Sequence, residues 1–241
     1  MENQSLYNRR AALYDAIYHF KRYDDEAERL REMLAQRGVG DGSRVLDVAC
    51  GTGSHLEQLR RFYDVSGLDL NEGMLAIARQ KLPGVSLELG DMADFAVERP
   101  HDALLCLFSS IGYLLTREQL EAAVRCFVAA LRPGGVLVVE PFIEPGEYVE
   151  GRIMLQTHDG EELKCARACV SGLDGEHAVL DFNWLVLRAG QPEVEHFVER
   201  HRLWLCPGAL IAETLEQAGF SVELEPRGLM PDRNVLVGTR S

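Results

Sequence analysis

The chain has 241 residues, 46% of them apolar and 26% charged, the composition of a globular protein that can bury a substantial core. Lys and Arg number 25 against 38 Asp and Glu, so a formal net charge of −13 argues against nucleic acid as a partner. No apolar run approaches the roughly 18–20 residues needed to span a bilayer, and no apolar stretch follows the arginines of MENQSLYNRR, so no membrane role is expected and the cytoplasm is the expected compartment.

Leu6, Leu13 and Ile17, then Ala27, Leu30 and Leu34, recur at helical spacing and predict two helices broken near His19 to Tyr23. From Ser43 the period changes. RVLDVA is a short buried strand, GTGS a tight turn, and Leu56 and Leu59 mark the helix that follows. VSGLDL is a second strand, after which Asn71 caps a helix through Met74, Leu75, Ile77 and Ala78 that ends at Pro83 and Gly84. SLELG and ALLCLFS supply a third and a fourth strand. A helix capped by Thr116 runs to about Leu131, Pro133, Gly134 and Gly135 form a turn, and VLVVE is the fifth strand. This cadence predicts an α/β fold, a parallel sheet with helices on both faces.

Between Pro141 and Cys206 the rhythm breaks. The turn signals HDG, SGLDGE and RAGQP separate β-rich runs, which predicts an antiparallel meander of about four strands. A helix over about 207–218 and the strands SVELEP and NVLVGTR complete the chain. Residues 1–241 are therefore expected to form a single domain. Within it, 1–40 form a helical cap and 141–206 a β insert covering the active site. Cys50, Cys106, Cys126, Cys165, Cys169 and Cys206 contain no C-x-x-C pair, so reduced thiols and no metal site are expected.

The chemistry concentrates in VLDVACGTGSHL and GLDL. Gly51 and Gly53 let the backbone turn tightly after a buried strand and approach a ligand closely. Asp69 ends the second strand, placed to accept both hydroxyls of a ribose. The third glycine of the dinucleotide fingerprint is absent, because Leu56 stands in its place, and this favours a nucleoside without phosphates over NAD. In GDMADF, Asp91 is suited to the adenine amino group, and Met92 offers its backbone and apolar bulk to the base. Phe108 and Ser109, in LFSSIGYL, end the fourth strand beneath the remainder of such a ligand.

D-V-A-C-G-T-G, the acid after the second strand, G-D-M, and P-G-G before the fifth strand together resemble the class I S-adenosylmethionine-dependent methyltransferases. That resemblance implies a Rossmann-like seven-stranded sheet in the order 3-2-1-4-5-7-6 with the last strand antiparallel. It implies S-adenosylmethionine as cofactor, bound by Asp47, Ala49, Cys50, Gly51, Gly53, Asp69, Leu70, Met74, Asp91, Met92, Leu107 and Phe108. Over nearly the whole chain, LYDAIY, KRYDDEA, GLDLNEGMLAIAR, LFSSIGYL and HFVERHRL resemble more closely the N,N-dimethyltransferases of nucleotide-linked amino-deoxysugars, of the desosamine and mycaminose type. This implies a role in secondary metabolism. It implies that Tyr14 reaches the substrate, that Arg22 or Tyr23 holds the methionine carboxylate, that Tyr113 lies beside the reacting amine and that Arg233 lies near the substrate phosphates. The chain departs from the family in FIEP, where Phe142, Ile143 and Glu144 make a different pocket wall.

Methyl transfer from a sulfonium needs alignment and exclusion of water more than a nucleophile from the protein. Tyr14 and Tyr113 are the candidates to orient an amine lone pair. His196 and His201 stand five apart on one predicted strand and so point to opposite faces, and His201 is the candidate base. A small-molecule amine is the expected acceptor. An O- or C-methyltransferase and a non-catalytic S-adenosylmethionine-binding protein are the rival readings, and a homodimer is the base-rate expectation for assembly.

Overall fold

The computed structural model describes residues 13–226, 228–229 and 233–241. Leu6, expected on the first helix, lies outside these residues, as does the rest of the expected cap before residue 13. In chain order the elements are α1 (13–17), α2 (Tyr23–Ala35), β1 (Arg44–Val48), α3 (Ser54–Leu59), β2 (Asp64–Asp69) and α4 (Glu72–Lys81). Next come β3 (Ser86–Leu89), β4 (His101–Cys106), a 3-10 turn (Ser110–Tyr113), α5 (Arg117–Ala130) and β5 (Leu131–Val139). The chain closes with β6 (Ile153–Asp159), β7 (Leu163–Asp174), β8 (His177–Arg188), β9 (Glu195–Trp204), α6 (Gly208–Gln217), β10 (Phe220–Glu225) and β11 (Val235–Arg240).

The caps predicted from sequence form as expected. Asn71 accepts the N–H groups of Gly73 and Met74 at the start of α4, and Thr116 accepts that of Gln119 at the start of α5. The Gln119 side chain reaches back to the N–H of Leu115, so two orphan donors are satisfied together.

One seven-stranded sheet runs β3-β2-β1-β4-β5-β11-β10. With the four insert strands left out of the count, this is the expected 3-2-1-4-5-7-6. β11 is antiparallel to both β5 and β10, whereas β1 through β5 pair in parallel. Alternate residues feed opposite faces, as the two-residue repeat of a strand requires. Leu46, Leu104 and Leu137 pack with α5 and α6 around Phe127, Ile211 and Leu215. Val45, Leu105 and Val138 pack with α2, α3 and α4 around Leu30, Leu56 and Leu75. The expected Pro133-Gly134-Gly135 turn falls within the span of β5, at a break in its pairing. There the register against β4 shifts between His101 and Ala103 and Gly134 takes φ of 73°.

The insert forms a second, four-stranded antiparallel sheet in the order β6-β7-β8-β9. Its inner face carries Cys165, Cys169, Leu180, Phe182, Trp184 and Leu203, and these share one core with Leu13 and Ile17 of α1. The N-terminal helix and the insert are therefore one packed unit. All six cysteines are free thiols, Cys126 half-buried and the others buried. Among the described residues no helix is long and apolar enough to cross a membrane.

Candidate active site

The loops after β1, β2, β4 and β5 meet at the carboxyl edge of the main sheet, where open α/β sheets bind ligands. Three non-glycine residues take left-handed backbone here, Ala49 (φ 61°), Phe108 (φ 52°) and Ser109 (φ 64°). Such conformations cost about 1–3 kcal/mol each and persist only where neighbours fix them. The fixing groups are carboxylates at strand ends. Asp69 Oδ2 accepts the Gly51 N–H at 2.8 Å and its Oδ1 accepts the Asn71 N–H at 2.8 Å. Glu140, fully buried at the end of β5, accepts the Phe108 N–H at 2.8 Å. Ser109 Oγ donates to the Pro141 carbonyl at 3.2 Å.

The glycine loop is tight for stated reasons. Gly53 starts α3 at φ of 76°, and a Cβ there would lie 2.6 Å from Leu82 Cδ1. Beneath the loop, Asp47 is buried, and burial raises its carboxyl to about 7, opposed by His55 and reinforced by Asp69. The Cys50 side chain turns inward, because a Cβ on Gly67 would meet its Sγ at 2.7 Å. Of the expected cofactor residues, Asp47 and Cys50 thus support the loop from within. Leu70 is 72% exposed at the mouth beyond Asp69, and Met74 and Met92 are half-buried. Asp91 accepts the Ala93 N–H with one oxygen. Leu107 is buried in the core.

Arg22 faces outward in this structure. Its side chain is 69% exposed and pairs with Asp24 and Asp25, because the chain leaves α1 before this point and turns the residue outward. The neighbouring Lys21 faces inward in its place. Its Nζ is buried, lies 3.9 Å from the centre of the Phe108 ring and 5.2 Å from that of Tyr23, and pairs with Glu26 Oε1 at 3.0 Å. Glu26 also pairs with His55 Nε2 at 2.7 Å. Burial would raise the Glu26 carboxyl, but His55 and Lys21 together bring it below the usual range.

Sequence reasoning missed Lys21, and also the tie that holds α1 to the loop. Thr52 Oγ1 donates to Asp15 at 2.6 Å, Lys81 pairs with Asp15 at 2.6 Å, and Lys81 reaches Ser54 Oγ at 3.2 Å.

Tyr14 stands edge-on to Phe108, with ring centres 6.5 Å apart, and packs on Tyr18 at 4.6 Å. Burial, then the nearby Tyr18, Tyr23 and Tyr113, hold its hydroxyl well above the ordinary phenol range. Burial likewise raises Tyr23. The Tyr113 hydroxyl meets His201 Nδ1 at 2.6 Å, so these two predicted residues are brought together from the 3-10 turn and β9. His196, by contrast, is exposed on the outer face of β9. Arg233 donates to Ser109 Oγ and lies 6.0 Å from the Phe142 ring. Glu144 is turned to the start of α6. It is exposed and accepts the Gly208 N–H at 2.9 Å, capping the first turn of α6, where free N–H groups favour a carboxylate. Among the described residues no group of three or more His, Cys, Asp or Glu is arranged to hold a metal ion.

These features fit a nucleoside joined to an amino acid. Asp69 keeps lone pairs beyond its two backbone partners, an exposed leucine stands beside it, and the buried Lys21 ammonium, paired with Glu26, lies over the Phe108 ring. A profile for the methyltransferase domain matches residues 45–135, the stretch that carries this loop and the strands around it. The chain is 38% identical over 216 residues to the dTDP-3-amino-3,4,6-trideoxy-α-D-glucopyranose N,N-dimethyltransferase of Streptomyces venezuelae, covering 88% of this chain and 90% of that one. It superposes on the crystal structure of Streptomyces venezuelae DesVI with a TM-score of 0.89 at 35% identity, covering 96% of this chain and 98% of that one. It superposes also on CalS10 with bound S-adenosylmethionine, an amino pentose methyltransferase from Micromonospora echinaspora, with a TM-score of 0.84 at 33% identity over 95% and 97% of the two chains. The chain belongs to this family of S-adenosylmethionine-dependent methyltransferases.

The buried Asp47 makes a prediction about stability. Its folded-state pKa of about 7 lies above the unfolded value of about 3.9, so its contribution to stability is full below about pH 4 and is lost as pH rises towards 7. Relative to the wild type, Asp47→Asn should therefore gain about 2–3 kcal/mol between pH 5 and pH 8, read from denaturant unfolding of both proteins. A difference that does not change with pH would contradict the raised pKa.

Proposed function

We propose that this chain transfers a methyl group to the amino group of a nucleotide-linked amino sugar. The observation that carries this reading is the wall of Tyr14, Tyr18 and Phe108 beside the carboxyl edge, in a chain whose relatives act on amino sugars. S-adenosylmethionine, when bound, supplies an electrophilic methyl group. Asp69 would hold the ribose hydroxyls, Leu70, Met74, Asp91 and Met92 the adenine, and the backbone of Ala49, Gly51 and Gly53 the turn against which the nucleoside lies. Lys21, with Tyr23 beside it, would take the amino-acid carboxylate, the role that the sequence resemblance implied for Arg22 or Tyr23.

Tyr14 and Tyr113 would orient the acceptor nitrogen. A phenol held in its neutral form can hydrogen-bond an amine without placing a fixed charge beside it, and their raised pKa values keep both hydroxyls protonated. Phe142 and Arg233 form the side of the cleft suited to the nucleotide end of the substrate. In this reading residues 1–40 act as a cap and 141–206 as a cover within one domain, excluding water from the reaction, and the enzyme works in the cytoplasm on a small molecule without nucleic acid or membrane.

The homodimer belongs to the same proposal. Ile153, Leu155, Val170, Leu185 and Val198 are exposed on the outer face of the β6–β9 sheet, an apolar surface that a second copy would cover. Wild-type protein should sediment at twice the mass of one chain, and Leu155→Arg at that of a single chain. A monomeric wild type would remove the dimer from the account.

Calorimetric titration with S-adenosylhomocysteine, followed by a thymidine-diphosphate-linked 3-amino sugar, tests the site. Lys21→Met should weaken S-adenosylhomocysteine binding roughly 10- to 100-fold, the cost of a charge-assisted contact, while Arg22→Ala should leave it unchanged. The sugar should bind the loaded enzyme. Cofactor binding without any response to the sugar would remove the acceptor from the proposal, and equal effects of the two variants would remove Lys21.

A further inference from the structure

Tyr113 and His201 do not end the line of polar contacts that begins at the cleft. His201 Nε2 lies 3.5 Å from Glu199 Oε2, and Trp184 Nε1 donates to that same carboxylate oxygen at 3.2 Å. Glu199 and His201 stand two apart on β9 and so share the face turned towards the cleft. The phenol, the imidazole and the carboxylate thus form one chain, with the hydroxyl 2.6 Å from Nδ1 at one end and a carboxylate 45% exposed to solvent at the other.

We infer that Tyr113, His201 and Glu199 form a proton relay that carries the acceptor's ammonium proton from the cleft to solvent. The inference rests on the amine-acceptor reading above. An amine attacks only through a free lone pair, yet an amino sugar enters largely as an ammonium at neutral pH. The ammonium proton passes to Tyr113 Oη as the Tyr113 hydroxyl proton passes to His201 Nδ1, leaving a neutral amine, a neutral phenol and an imidazolium. The imidazolium then releases its Nε2 proton through Glu199 to water, and no electrons are exchanged. The relay needs Nδ1 as acceptor and the proton on Nε2, and a carboxylate facing Nε2 selects that tautomer. Glu199 and Trp184 are positioning residues, acting through His201.

The surroundings agree with these roles. Burial raises the Tyr113 hydroxyl above its ordinary range, so it conducts as a phenol and does not stand ready as a phenolate. Burial would raise Glu199, but His201 and Trp184 together with the charge of Arg167 bring it below the usual range and keep it anionic. Arg167 on β7 is the remaining charge that acts on both Tyr113 and Glu199. It is buried over Tyr18, Phe182 and Trp184 and hydrogen-bonds Tyr18 and Gln156. Asp181 and Arg200, on the next positions of β8 and β9, pair with each other.

The test is the pH profile of kcat/KM on the thymidine-diphosphate-linked 3-amino sugar for the wild type, His201→Gln, Tyr113→Phe and Glu199→Gln, with S-adenosylhomocysteine affinity measured for each. The relay predicts a loss of about 10²-fold or more at neutral pH for His201→Gln and Tyr113→Phe, and about tenfold for Glu199→Gln. It predicts that each loss closes as pH passes the amine's own pKa, where the free base predominates without help. A loss that stays constant across pH, or no loss at neutral pH with cofactor affinity intact, would overturn the relay while leaving the methyltransferase reading in place. If His201→Gln also loses cofactor affinity, Glu199→Gln and Tyr113→Phe decide by the same criterion. A wild type that methylates a hydroxyl acceptor and no amine would overturn both readings together.

Discussion

The Asp69 carboxylate is the tie on which the arrangement of the cleft depends. It ends β2, accepts the Gly51 N–H from the loop after β1, and accepts the Asn71 N–H ahead of α4, so one side chain fixes two loops and a helix start. The loop can accept this only because Gly51 and Gly53 tolerate positive φ. Glu140 repeats the device one strand pair away, where its hold on the Phe108 N–H fixes a left-handed pair, Phe108 and Ser109. Both carboxylates convert the ends of parallel strands into a rigid rim. A rim of this kind can present backbone groups to a nucleoside without rearranging when it binds.

The second layer of the site comes from parts of the chain distant in sequence. α1 shares a core with the insert through Leu13, Ile17, Phe182 and Trp184, and it is tied to the glycine loop through Asp15, Thr52 and Lys81. Phe108 lies between these layers, with Lys21 over its ring and Tyr14 and Tyr18 edge-on to it. Cap, insert and cofactor loop are therefore mechanically connected. In the proposed reaction, Lys21, which holds the amino-acid carboxylate, and Tyr14, one of the two groups that hold the acceptor amine, rest on the same aromatic ring.

The strands, the insert and the rim were legible because each rests on local signals, namely strand period, glycine spacing, caps and an acid at a strand end, whereas the sheet order came from the family resemblance. The residues whose direction the sequence did not reveal were those that depend on tertiary context. Arg22 and Lys21 are adjacent, and which of them faces inward is decided by where α1 stops, a boundary that periodicity locates only within a few residues. Glu144 was expected in the pocket wall because FIEP follows the fifth strand, but the free N–H groups of α6, some sixty residues later, capture it. Trp184 carries no motif, and Glu199 lies inside HFVERHRL with nothing in that stretch to single it out. Only the pairing of β8 with β9 shows that they meet at His201. The Tyr113–His201 contact lay between these cases, since each residue was a candidate alone but no sequence rule joins two positions so far apart.

The central claim is that this chain methylates an amino nitrogen. It is tested most directly by incubating the protein with S-adenosylmethionine carrying a deuterated methyl group and a thymidine-diphosphate-linked 3-amino sugar, then locating the label by fragmentation mass spectrometry. The account predicts the deuterated methyl on the sugar nitrogen. Label on oxygen or carbon, or an unlabelled sugar beside a cofactor that binds and is not consumed, would contradict it.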